Sequence, residues 1–193
     1  MNKPAVLDSF LFLGYDIRSG IRSQQNQGTE KENLISIDRG VLERPPSISQ
    51  LGIDETTKYG LFEDCRVAIE SYRSLPSPEI ENSRIYALYI DADDFNIAVM
   101  NELMEKRDQV RVSSDFPTSQ KFLGFDVCTV QFEWLSFLLN FGIDLTGVSK
   151  PGDFEPNGLM NSIEAAKKVR HFADGATPSH KPFGVWGIAE CDI

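Results

Sequence analysis

Residues 12–17 read FLGYDI, and residues 122–127 read FLGFDV. Each hexapeptide is short and rich in aromatic and aliphatic side chains, the composition of a β-strand. The segments after them recur as well. The first hexapeptide is succeeded by a polar stretch, then YGLFEDCRVAIESYRSL at 59–75 and RIYALYIDA at 84–92. The second is succeeded by an apolar segment, then NGLMNSIEAAKKVRHFA at 157–173 and FGVWGIAEC at 183–191. Each half therefore runs strand, variable middle, Gly-Leu, amphipathic helix, proline-containing loop and closing strand. A fixed order of elements met twice is the mark of an internal duplication.

The helical segments carry matching apolar stripes. Leu61, Cys65, Ala68, Tyr72 and Leu75 fall on one helical face, as do Leu159, Ile163, Ala166, Val169 and Phe172. Gly60 and Gly158 stand before the two helices, where a permissive backbone lets the chain turn into the first turn. Pro76 and Pro78 in one half, and Pro178 and Pro182 in the other, are expected to stop the helices and keep the next loop extended. In RIYALYIDA both alternating sets are apolar, so that strand is expected to be buried on both faces.

The middles differ. Val130, Trp134, Phe137, Leu138 and Phe141 predict a helix over about 130–141, ended by Gly142. The first half has RSGIRSQQNQGTEKEN instead, too polar for a buried helix, and a replacement strand is expected at LISI, residues 34–37. Between the halves, Asp93 or Asp94 is placed to cap a helix running to about Arg107, followed by a linker. The expected division is a first copy at 1–92, a connecting helix and linker at 93–118 and a second copy at 119–193, forming one globular unit. The class is α+β, with two strand-helix-strand units packing a mixed or antiparallel sheet against helices.

A chain of 193 residues with 41% hydrophobic and 25% charged residues has the composition of a folded globular protein. Its net charge of −10 repels phosphate backbones, so nucleic acid is not an expected partner. No apolar run reaches the ~18 residues that a membrane span needs, and the N-terminal stretch lacks the features of a signal peptide. Cys65, Cys128 and Cys191 are widely spaced, with no Cys/His cluster, as in reduced thiols of a cytoplasmic protein. No nucleotide-binding, zinc-protease or serine-hydrolase motif occurs, and no cofactor is expected.

The acid excess is concentrated. Residues 91–110 hold Asp91, Asp93, Asp94, Glu102, Glu105 and Asp108 against Lys106 and Arg107, a net −4, and residues 51–64 hold a net −3. Such a surface either solvates a helix or steers a basic protein partner. Two aspartates recur with the strands, Asp16 and Asp126. Brought together, they could share a proton or hold a metal; apart, each would serve its local backbone. His171 lies among Lys167, Lys168 and Arg170 and reads as a solvated position, whereas His180 sits in the loop TPSHKPF.

The run FLGFDV, a helix, NGL, an amphipathic helix and HKPFGVWGI resembles the immunity proteins encoded beside bacterial polymorphic or contact-dependent toxins. The resemblance covers about residues 121–193 and, more loosely, 12–92. It implies a cytoplasmic antitoxin that neutralises a basic toxin by covering its surface, and it carries no site residues across. The expected partner-binding residues are Asp91, Asp93, Asp94, Glu102 and Glu105. The alternative is a small hydrolase or metal-dependent enzyme using Asp16, Asp126 and His180 at the junction of the copies. A homo-oligomeric structural protein, a homodimer at the simplest, is the remaining reading.

Overall fold

The computed structural model of the chain describes residues 4–19, 45, 47, 61–94, 119–129, 135–140 and 144–193. Both hexapeptides lie in strands: β1 spans Phe10–Ser19 and β3 spans Gln120–Thr129, while the closing segments form β2 at Ser83–Asp91 and β4 at Phe183–Cys191. They make one antiparallel sheet in the order β1-β2-β4-β3. With helices packed against it, the fold is α+β. The two central strands come from different halves of the chain, so residues 1–92 and 119–193 share one sheet. Apolar side chains on both faces leave nearly all of β2 and β4 buried, as the non-alternating pattern of RIYALYIDA predicts.

The glycines of the two hexapeptides explain the motif. At each the register slips, between Phe12 and Gly14 in β1 and between Phe122 and Gly124 in β3, so that Leu13 and Leu123 are the extra residues of a bulge. Gly14 has φ +154° and Gly124 has φ +144°, conformations that side chains disfavour. Space is short as well. A Cβ on Gly14 would lie 2.9 Å from the Phe62 carbonyl oxygen and 3.0 Å from Leu61 Cβ; one on Gly124 would lie 2.8 Å from Leu159 Cβ and 2.9 Å from the Met160 carbonyl oxygen.

That close approach lets the segments 61–62 and 159–160 dock on the outer strands. The Tyr15 N–H donates to the Phe62 carbonyl at 2.7 Å and the Phe62 N–H donates back at 2.8 Å. The Phe125 N–H donates to the Met160 carbonyl at 2.8 Å and the Met160 N–H donates back at 2.7 Å. Each docking satisfies backbone groups on an edge strand that would otherwise invite pairing with another chain. The bulge also brings together aromatic rings on one face: Phe12 meets Tyr15 edge-on at 4.9 Å, and Phe122 meets Phe125 edge-on at 5.0 Å.

Directly after each docked segment a helix begins. Helix α1, Cys65–Arg73, is capped by Asp64, whose carboxylate accepts the Arg66 N–H at 2.7 Å. Its inner face buries Cys65, Ala68 and Ile69, with Tyr72 partly covered. A short helix α2, Ser77–Asn82, stands where an extended loop is expected. Pro78 sits in its first turn, where the missing N–H costs no intrahelical bond. In the second half, Ser136 forms a bridge with Cys128 and the Thr129 N–H donates to Leu135. The described helix α3 therefore covers only Phe137–Asn140, shorter than the expected span, and 130–134 and 141 lie outside the described residues. Helix α4, Ile163–Ala176, is capped by the Ser162 hydroxyl accepting the Ala165 N–H at 3.2 Å and buries Ala165, Ala166, Val169 and Ala173. A 3-10 turn at Pro178–His180 and a cis Lys181–Pro182 bond lead into β4.

Helices α3 and α4 reach the sheet through aromatic contacts, Phe137 lying 6.4 Å from Phe172 and 5.3 Å from Phe183. Near the start of the chain, a 3-10 turn at Ala5–Leu7 inserts Leu7 against Gly187 of β4, where any Cβ would collide with it. Phe10 then reaches Phe125, their ring centroids 5.7 Å apart. Cys65, Cys128 and Cys191 are all buried as thiols. The expected strand at 34–37 lies outside the described residues. Of the expected helix from Asp93 or Asp94 to Arg107, the described part is a 3-10 turn at Ala92–Asp94.

Candidate functional site

Strand β2 ends at Asp91 and the turn Ala92–Asp94 follows it, so that Asp91, Asp93 and Asp94 stand beside α4 and the first residues of β4. Helical spacing puts Lys167, Arg170 and Asp174 on one face of α4, within reach of that turn. Lys167 Nζ lies 2.7 Å from Asp91 Oδ2 and 3.7 Å from Asp93 Oδ2. Arg170 Nη2 lies 2.9 Å from Asp94 Oδ1, and Arg170 Nη1 lies 3.5 Å from Asp174 Oδ2. Backbone donors complete the arrangement: the Val185 N–H donates to Asp94 Oδ2 at 3.1 Å, the Phe183 N–H to Asp174 Oδ1 at 3.0 Å and the Asp93 N–H to Asp91 Oδ1 at 3.2 Å. Four carboxylates thus face two cations.

Exposure separates the acids. The side chains of Asp91 and Asp94 are 2% and 4% exposed, while that of Asp93 is 87% exposed. Burial holds the Asp94 carboxyl above the ordinary carboxylate range, outweighing the Val185 N–H and the Arg170 guanidinium that favour its charged form. The hydrogen bond to Asp91 holds the Lys167 ammonium above its ordinary range. The chemistry of the cluster is internal: it fastens the end of β2 to α4 and β4. This corrects the expectation that Asp91 and Asp94 present charge to a partner, since both are buried and bonded within the chain. Asp93 remains available at the surface, and Glu102 and Glu105 lie outside the described residues.

The structure does not bring Asp16 and Asp126 together. They lie on opposite edge strands, three strand spacings or about 14 Å apart across the sheet. They are also offset along it, Asp16 being level with Tyr86 and Glu190 and Asp126 with Trp186. Each is fully buried and serves its surroundings. Asp16 Oδ1 accepts the Ile17 N–H at 2.9 Å, and its Oδ2 accepts from Arg18 Nε at 2.7 Å. Asp126 Oδ1 accepts the Val127 N–H and the Ser136 hydroxyl, both at 2.7 Å. A shared-proton or shared-metal pair is thereby overturned by the strand order. His180 Nδ1 contacts the Ser179 hydroxyl at 3.0 Å within its own turn, and His171 is exposed on α4.

The residues that sequence reasoning missed are Lys167 and Arg170. Their neighbour His171 reads as solvated, and so does the run they belong to. Their spacing relative to the buried Ala166 and Val169 places them at the rim of the helix's inner face, but which acids they meet depends on β2 lying beside β4. Two tyrosines were also silent. Tyr89 donates its hydroxyl to Gln120 Oε1 at 2.7 Å and is pushed up to about 12 by burial, and burial raises Tyr15 further. Among the described residues no group of three or more His, Cys, Asp or Glu side chains is arranged to hold a metal, and no helix is long and apolar enough to cross a membrane. No family model, curated protein or solved structure matches the chain.

Proposed function

We propose that the protein is an immunity-type antitoxin of the cytoplasm that binds a basic protein toxin and blocks it by covering its surface. What supports the reading is charge: a net −10, with Asp93 standing 87% exposed above a cluster in which carboxylates outnumber cations. Acidic side chains would raise the rate of encounter with a basic partner, and apolar neighbours would supply the anchor. Within the acidic segment the partner-facing role belongs to Asp93, Glu102 and Glu105, since Asp91 and Asp94 hold the fold. We also propose that residues 1–92 and 119–193 are two copies of one unit. The matching bulges, the bridges of Phe62 and Met160 to the outer strands and the capped helices support that origin.

The test is co-expression with the products of genes adjacent to its own, followed by co-purification. For a captured partner, affinity is then measured against salt for the wild type and for Asp93→Lys combined with Glu102→Lys and Glu105→Lys. The expected result is an affinity at low salt at least tenfold weaker, with a flatter salt dependence. Unchanged affinity at low salt overturns the assignment of the surface, and the absence of any captured partner overturns the function.

A further inference from the structure

We draw no further inference here: the strongest candidate, the loop 153–164, whose Asp153, Glu155, Asn157, Gly158 and Glu164 follow the spacing of a calcium-binding loop, already commits the Asp153 carboxylate to the Lys150 N–H and the Leu159 carbonyl to the Glu155 N–H, and nothing else among the described residues points to a bound ion.

Discussion

Glycine at position 124 is required twice over, once for a backbone angle and once for room. Replacing it with alanine forces a Cβ to within 3 Å of Leu159 Cβ and the Met160 carbonyl at a φ of +144°, so the docked segment must retreat or the bulge must unwind. Strain and overpacking together should cost about 3 kcal/mol, read as a lower midpoint in urea unfolding. Gly147 provides the comparison: its φ is +84°, but a Cβ there meets nothing within 4 Å. Gly147→Ala should cost only about 1 kcal/mol, the strain alone. Equal losses at the two sites would remove the claim that close approach matters. The recurrence of FLG(Y/F)D was plain in the sequence, yet its meaning was not. An isolated glycine in a strand signals a bulge or a near neighbour; which backbone comes near is decided by residues 36 positions further on, at Met160.

Elements are joined by contacts that charge counts and periodicities do not disclose. The concentration of acid at 91–94 was visible, but its partners on α4 lie more than 70 residues away and become neighbours only because α4 precedes the strand paired with β2. Helices α1 and α4 were legible from their apolar stripes, except that Leu61 and Leu159 at the head of those stripes belong to the docked segments and the helices begin at Cys65 and Ile163. Helix α2 was not legible, because two prolines so close together read as a stop although a proline in a first turn is harmless. The ion cluster yields a pH dependence. Because folding raises the Asp94 pKa, the native state binds that proton more tightly than the unfolded chain, and the associated stability is present at low pH and lost as pH rises through the raised value. Asp94→Asn lacks this loss. Its stability relative to the wild type should therefore rise with pH across the acid range and level off above it, measured by urea unfolding at a series of pH values. A difference independent of pH would show that Asp94 titrates normally. Packing between elements makes a second prediction at Leu7 and Gly187. Leu7→Ala should cost about 3 kcal/mol through the cavity left behind, and Gly187→Ala a similar amount by displacing the Ala5–Leu7 turn. The double variant should lose about 1 kcal/mol less than the sum, or better, because the new methyl enters the space that leucine vacates. Additive losses would mean the two residues do not share that space.

For the molecule as a whole, the strand order makes β2 and β4 the interior of the sheet and β1 and β3 its margins. Amide hydrogen exchange should be slowest where the central strands face each other, around Leu88 and Ile188, and faster in β1 and β3 beyond the docked residues Tyr15 and Phe125. Faster exchange at the centre than at the margins would contradict the order. The α+β class and the four strands could be read from the chain, whereas the strand order could not: two strand-helix-strand halves can join through any of their strands, and hydrophobic patterning marks a strand as buried without naming its neighbours. That junction has a consequence for biosynthesis. Strand β4 is the last of the four to leave the ribosome, and until it does, the row of backbone groups from Tyr86 to Ile90 that it will bond stays bare on its side. The partner of that strand edge is thus missing through the synthesis of about ninety residues, the interval in which such an edge is open to pairing with a wrong strand.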